Sequence, residues 1–203
     1  VDFTRGELGT RGTPEIRDKE AAAAGKIVGL SVRENLGMRD GFIQNDEQSR
    51  MAVVRAIRRY QPEIVLCNSM SDRHPDHAYA SKLVSDSVFL AGLHKLLTDD
   101  DGARQSPWKA RAVYHYIQDR YLKPDFTVDV TSVWNKRMDA LKAFSSQFYN
   151  PESQEPESAI SSLAFLEFIE ARAREFGRPT GIAFAEGFQV ERTIGVRDLF
   201  DLY

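Results

Sequence analysis

Residues 68–77, NSMSDRHPDH, contain more side chains capable of chemistry than any other stretch of the sequence. His74 and His77 lie three residues apart, with Asp72 and Asp76 beside them. A predicted strand comes directly before this stretch and a predicted helix after it. It therefore falls at the carboxyl end of a strand, where open α/β sheets bind ligands. Residues three apart share one helix face, so both imidazoles can point into one crevice.

Two interpretations of the histidine pair stay open on spacing alone. A zinc site takes neutral imidazoles or carboxylates in a tetrahedral array, and a catalytic zinc keeps one position for water. The pair supplies at most two ligands, so a third must come from elsewhere. The alternative is a surface loop whose histidines cap a helix or contact its dipole.

The other two histidines give weaker signals. His94 lies in a predicted helix beside leucines and a lysine, which favours a solvated or structural role. His115 alternates with two tyrosines in a predicted strand, so it lines a pocket or fills an edge of the core. The sequence favours neither of these for His115.

Alternating helical and strand patterns predict an α/β fold. Apolar periodicity and capping signals predict helices over residues 14–28, 47–60, 78–97, 132–147 and 160–176. Runs of β-branched and aromatic residues predict strands at residues 1–4, 63–67, 112–117 and 125–130. We expect one domain, residues 1–203, with a Rossmann-like, doubly wound, mostly parallel sheet and helices on both faces. The later strands and helices could add an antiparallel edge or a cap.

Local signals define the ends of the first helix. Thr13 is the expected N-cap, Pro14 suits the first helical position, and Gly29 is the expected stop. In the second helix, the apolar periodicity places three arginines toward water: Arg55, Arg58 and Arg59. The strand at 63–67 is expected to be buried.

Composition excludes several function classes. The 203 residues are 42% hydrophobic and carry a net charge of −3, without a basic patch or an apolar run long enough to cross a membrane. We therefore expect neither a nucleic-acid nor a membrane partner. The single cysteine, Cys67, excludes an internal disulfide framework and fits a reducing, cytoplasmic compartment.

The sequence opens abruptly on Val1-Asp-Phe-Thr, which resembles the end of a strand. We expect an N-terminal segment to precede Val1. A complete but short N-terminus is the alternative.

A series of motifs in a fixed order gives the chain a family resemblance. They are TRGELGTRG, RDKEAAAA, RENLGMRDG, PEIVLCN, DRHPDHAYASKLV, VYHYI, SSQFYNP and AEGFQVER. In this order they resemble the LmbE-like (PIG-L) zinc-dependent N-deacetylases, and within them the bacterial N-acetylglucosaminyl-malate deacetylases of bacillithiol biosynthesis.

The resemblance implies a zinc site that this sequence contains only in part. In the family, a His and an Asp of an N-terminal His-Pro-Asp-Asp motif and one later His hold the zinc, and the other Asp is the general base. That motif is expected upstream of Val1, and the HPDH at 74–77 is not its equivalent. By the resemblance His77 is the remaining zinc ligand, His74 a general acid and oxyanion stabiliser, and Asp76 the carboxylate that orients His74.

Further residues match positions that contact substrate in the family. Glu7 and Arg17 correspond to residues that hold the sugar and its anionic group, and Arg73 could serve the same end. Each has a structural alternative, because Glu7 could bond backbone amides in its turn, Arg17 could pair with a neighbouring Glu, and Arg73 could bond the sheet edge. Ser145 stands where some relatives carry a histidine, which leaves the role of Gln147 open.

The function implied is removal of acetyl from an N-acetylglucosamine conjugate, with N-acetylglucosaminyl malate as the expected substrate and Zn²⁺ as the cofactor. The alternatives are deacetylation of another amino-sugar or thiol conjugate, and an inactive sugar-binding relative if the chain truly begins at Val1. The resemblance also implies a homo-oligomer, either a trimer or a hexamer.

Overall fold

The computed structural model describes residues 1–202, so Tyr203, the last residue of the predicted domain, lies outside it. These residues form five α-helices and six β-strands. The helices are α1 (Pro14–Val28), α2 (Glu47–Tyr60), α3 (Pro75–Ala91), α4 (Trp134–Lys142) and α5 (Leu163–Gly177). The strands are β1 (Ile64–Asn68), β2 (Asp99–Asp100), β3 (Ala103–Arg104), β4 (Ala112–Tyr116), β5 (Phe126–Asp129) and β6 (Ala185–Val190).

The chain divides into two compact units. The first comprises Val1–Gly41 and Val128–Glu186, and the second comprises Phe42–Thr127 and Gly187–Tyr203. Each unit is assembled from two separate segments, so the division is not a linear split into two domains. The prediction of a single domain stays a prediction.

The second unit contains β1, β4 and residues 187–190 of β6, which belong to a mixed sheet. Four strands follow the order β1-β4-β6-β5. Strands β1 and β4 are parallel, with Cys67 opposite His115, whereas β4 and β6 are antiparallel, with His115 opposite Gln189. Helix α3 packs against β1 and β4, and α2 packs against α3. The predicted α/β class is confirmed, with a parallel pair at one edge of the sheet and an antiparallel addition beyond it.

The first unit has a helical core. Helix α1 packs against α4, and Trp134, Ile169 and Ala173 form a buried cluster between α4 and α5. The Trp134 ring stacks on Phe184 with ring centroids 4.4 Å apart.

Helix starts follow local signals in three cases. Thr13 accepts a hydrogen bond from the Ile16 amide at the start of α1, and Gly29 ends that helix in the left-handed conformation, as predicted. Asp46 caps α2 through the Ser49 amide. Helix α3 begins at Pro75 rather than at residue 78, because His74 is its N-cap. Both histidines of the candidate site therefore lie at the first turn of α3.

Three other predictions are wrong, and one strand was missed. Arg58 is buried instead of facing water, because its guanidinium donates to the carbonyls of Ala91, Leu93 and Leu96 and to Thr98 Oγ1 beyond the end of α3. Strand β1 is half exposed, since Ile64 and Leu66 lie on the face opposite α3. Residues 1–4 form only an isolated bridge from Asp2 to Asn35, and strand β6 was not predicted at all.

None of the helices in residues 1–202 combines the length and the apolar composition needed to cross a membrane.

Candidate active site

The loop between β1 and α3 brings the two predicted histidines together. Nδ1 of His74 accepts a hydrogen bond from the Asp76 amide at 3.3 Å, which caps the helix. Pro75 follows at the first helical position, where its missing N–H costs nothing. The imidazole rings of His74 and His77 lie 5.1 Å apart between centroids, inclined by 35°. The spacing that predicted a shared face thus places two imidazoles side by side.

Contacts with the loop after β4 hold this loop in place. Asn68 Nδ2 donates to Gln118 Oε1 at 2.8 Å. Arg73 Nε lies 2.6 Å from Asp119 Oδ2, although the Arg73 side chain stays half exposed. Because β1 and β4 are adjacent parallel strands, the loops at their carboxyl ends emerge next to each other.

His77 is held in a partly buried environment. Its Nδ1 lies 3.3 Å from Oδ2 of Asp72, whose side chain is fully buried. Burial lowers the pKa of His77 below its ordinary value, and the Asp72 carboxylate opposes this effect without overcoming it. The ring is therefore neutral at pH 7, and the neutral imidazole is the form that binds metals.

Asp76 is buried at the first turn of α3. One of its carboxylate oxygens, Oδ1, accepts a hydrogen bond from the Ile43 amide at 3.2 Å, which joins the start of α3 to the segment before α2. The hydrogen bond from Asp76 to His74 comes from the Asp76 backbone amide. The predicted role of the Asp76 carboxylate in orienting His74, and that of Arg73 in binding substrate, stay predictions.

The described residues fit one ligand of a metal site rather than a complete site. Within residues 1–202, no group of three or more His, Cys, Asp or Glu side chains is arranged to hold a metal ion. His77 has the chemistry of a single nitrogen ligand, since it is neutral, carboxylate-backed and about one-third exposed.

His115 lies in a buried polar cluster within the second unit. The side chain is 1% exposed, and Nδ1 lies 2.8 Å from Ser81 Oγ and 3.3 Å from Cys67 Sγ. Its Nε2 lies 3.0 Å from Glu191 Oε1. Burial raises the pKa of the Cys67 thiol to about 12. Of the two interpretations of His115, the structure supports a place in the core.

In the first unit, a glycine turn surrounds the guanidinium of Arg17. Arg17 is buried and its Nη2 donates to the Arg11 carbonyl at 2.8 Å. A Cβ added to Gly9 would lie 2.3 Å from Arg17 Nη2, and one added to Gly6 would lie 3.0 Å from Nη1. The side-chain oxygen of Gln147 also accepts from this guanidinium. The donors of Arg17 are thus turned toward the chain itself, and direct contact with substrate stays a prediction.

Glu7 and Glu20 are two of the carboxylates of this region. Glu7 is exposed, its Oε1 accepts from the Asp40 amide at 2.7 Å, and this hydrogen bond lowers its pKa. Glu20 is buried and accepts from the Ser146 amide at 2.7 Å and from the hydroxyls of Ser145 and Ser146. Glu20 therefore binds the start of the SSQ motif, a role that its place in the helix pattern did not reveal.

Sequence reasoning also missed Asp72 as the partner of His77. The sequence shows only that Asp72 precedes His77 by five residues, in the segment between a strand and a helix. This spacing does not by itself predict that the two side chains are in contact.

Comparisons with known proteins agree with these features. The family model of GlcNAc-PI de-N-acetylase, PIG-L, matches residues 1–88, a range that contains the glycine turn and both histidines of the pair. The crystal structure of a conserved protein from Thermus thermophilus is similar with a TM-score of 0.81 and 33% sequence identity. The match covers 97% of this chain and 82% of that protein.

Two curated proteins are more distant relatives. Diacetylchitobiose deacetylase of Thermococcus kodakarensis is 27% identical over 189 residues, which is 92% of this chain. The 4-oxalmesaconate hydratase of Pseudomonas putida is 28% identical over 146 residues, which is 71% of this chain. The chain spans 66% of the length of the first and 56% of the second.

Fold and site together define an α/β protein with an imidazole pair at the carboxyl edge of its parallel strands. The chain belongs to the PIG-L (LmbE-like) family.

Proposed function

We propose that this protein is a zinc-dependent N-deacetylase acting on an N-acetylglucosamine conjugate, with N-acetylglucosaminyl malate as its substrate. The observation that carries the proposal is the pair of adjacent imidazoles at the start of α3, one of them backed by a buried carboxylate. Membership of a family that includes a de-N-acetylase and a diacetylchitobiose deacetylase supports amide hydrolysis by this pair.

The two histidines take different roles. His77 would supply one ligand to zinc, which when bound provides activated water at neutral pH. Nδ1 of His74 accepts a hydrogen bond from the Asp76 amide, so the ring proton that can face a substrate is on Nε2. From Nε2 it can donate to the amide oxygen of the substrate as negative charge develops there. The departing amine would take the proton that the general base implied by the family resemblance removes from the attacking water.

Arg73 is the proposed contact of this unit for an anionic group of the substrate. Its guanidinium is half exposed and bonded to one carboxylate, Asp119. Malate carries carboxylates that match the donors of a guanidinium. The rival interpretation is that Arg73 serves only to join the two loops.

Zinc content and acetate release in the complete protein test the proposal. We expect about one zinc per chain after exhaustive desalting, and acetate release from N-acetylglucosaminyl malate. His77→Ala should lose metal and lower activity by more than about 100-fold, because loss of a ligand exceeds loss of its supporting partner. His74→Ala should retain zinc and lower kcat by about 100-fold or more.

His94→Ala is the matched control, because His94 is exposed and outside the site. Both its zinc content and its activity should equal those of the unsubstituted protein. A fully active, zinc-loaded His77→Ala variant would remove His77 from the site. Absence of zinc even after its addition would support the inactive sugar-binding alternative.

A second candidate function is hydration of a carbon–carbon double bond. It is favoured by the 28% identity to 4-oxalmesaconate hydratase. Both reactions add water to an activated carbon, so the imidazole pair does not distinguish them. The acetylated conjugate and an unsaturated dicarboxylate should be assayed side by side, and turnover of the dicarboxylate alone would select the hydratase.

The resemblance also supports a homo-oligomer, and the single cysteine supports a cytoplasmic location. A trimer or hexamer is the expected state in sedimentation velocity, and a monomer would contradict it.

A further inference from the structure

No step of the proposed reaction assigns a task to the Asp72 carboxylate, although its side chain is fully buried beside His77. Its carboxylate is held from both sides by the backbone: Oδ1 accepts from the Arg73 amide, and Oδ2 accepts from the Asp119 amide at 3.4 Å. The carboxylate is therefore tied both to its own loop and to the loop after β4. It cannot turn away from His77 without breaking these bonds.

His77 meets this carboxylate through a nitrogen that has no other partner. Nδ1 is buried and makes no hydrogen bond of normal geometry within residues 1–202, and the Asp72 carboxylate faces it at 3.3 Å. The side chain as a whole is 34% exposed. Because the Nδ1 edge is covered, this exposure belongs to the rest of the ring.

An ionised carboxylate only accepts hydrogen bonds, so the ring nitrogen facing it must carry the proton. We propose that Asp72 is a positioning residue that holds neutral His77 in the Nδ1–H tautomer. The Nε2 lone pair is then left on the accessible edge of the ring, ready to bind a cation. A free imidazole in water favours the opposite tautomer, with the proton on Nε2.

The tautomer follows from this chain's own geometry and needs no metal. The role of this tautomer in metal binding rests on the proposed function, because a zinc ion binds the Nε2 lone pair that points outward. A carboxylate that bonds the second nitrogen of a ligating histidine fixes the ring and strengthens the ligand. Removing such a partner lowers metal affinity by about 10- to 100-fold.

Nitrogen-15 NMR of the histidine rings tests the tautomer in the complete protein stripped of metal. The chain has four histidines, so each signal can be assigned from single substitutions. We expect His77 to be protonated at Nδ1, and Asp72→Ala to shift the ring to the Nε2–H form. An unchanged His77 tautomer in a folded Asp72→Ala variant would overturn the proposal.

Zinc affinity, measured by competition with a chelator, gives the second readout. Asp72→Asn preserves the shape of the side chain and should bind zinc about 10- to 100-fold more weakly. Asp119→Asn is the matched control, because it removes a carboxylate from the same pair of loops and keeps the amide that Asp72 accepts. Its zinc affinity and His77 tautomer should be unchanged. An equal loss in both variants would overturn the assignment to Asp72.

The two readouts separate two kinds of failure. If the unsubstituted protein binds no zinc but shows the Nδ1–H ring that Asp72→Ala abolishes, the positioning role stands and the proposed function fails. If zinc binds and the ring is unaffected by Asp72, the proposed function stands and the positioning role fails.

Discussion

The glycine turn around Arg17 and the imidazole pair at the start of α3 use polar side chains in opposite ways. Arg17 is buried and directs its donors to the Arg11 carbonyl and to Gln147. His77 faces the buried Asp72 carboxylate on one edge and is open on the other. A side chain bonded to its own chain contributes to stability, whereas one with an open ring nitrogen is available to a ligand. The comparison therefore predicts stability defects in the first region and binding defects in the second.

Replacement of Arg17 should produce the largest effect on stability. We expect Arg17→Met to lower the free energy of unfolding by about 2–4 kcal/mol, because it leaves the Arg11 carbonyl and the Gln147 side-chain oxygen without their donor. Denaturant unfolding measures this directly. Arg5→Met should change stability far less, since the Arg5 side chain is partly exposed on the surface.

An effect of Arg17→Met on substrate binding without an effect on stability would contradict this prediction. If Arg17→Met kept its stability and mainly raised KM for the malate conjugate, the guanidinium would be a substrate clamp, as the family resemblance implies.

A methyl group added at Gly9 tests how closely the glycine turn packs against the Arg17 guanidinium. The added Cβ would lie 2.3 Å from Arg17 Nη2 and 3.1 Å from the Gly6 carbonyl, so the guanidinium must shift. We expect Gly9→Ala to cost about 1–3 kcal/mol, as for overpacking elsewhere. Gly195→Ala meets no atom within 4 Å and should stay within about 0.5 kcal/mol in thermal unfolding. Equal effects of the two substitutions would mean that the turn is loose.

Glu7 should give the smallest effect, and one that depends on pH. Its pKa is lowered from 4.5 by the Asp40 amide, so the carboxylate stabilises the fold above pH 4.5, and this is lost as pH falls through the lowered value. Because Glu7 is exposed, Glu7→Gln should cost less than about 0.5 kcal/mol at pH 7, and nothing at about pH 2. Chemical denaturation at both pH values measures the difference. A cost that persists in acid would point to a steric role.

Features encoded by neighbouring residues were predictable from the sequence. Thr13 and Gly29 delimit α1 as expected, because caps depend on side chains within a turn of the helix end. The i, i+3 spacing of His74 and His77 likewise placed both rings on one face. The start of α3 was missed, since histidine is not among the preferred N-cap residues.

Features that depend on distant residues were not predictable. Arg58 was expected in water, but its partners are carbonyls more than 30 residues away. Strand β6 pairs with β4 across some 70 residues of sequence, a partner that local signals do not specify. Asp72 acquires its role only when the fold brings the amide of Asp119 and the ring of His77 to it.

The row formed by Cys67, His115 and Gln189 across three strands also bears on how the sheet is assembled. Side chains alternate between the faces of a strand, so a slip of β4 by one residue would turn His115 outward. Tyr114 or Tyr116 would then replace it in the space beside Ser81. The buried hydroxyl of Ser81 would lose its partner, a cost that neighbouring apolar contacts do not offset. One histidine thus distinguishes the native pairing of β1, β4 and β6 from its nearest misfolded neighbours while the chain folds.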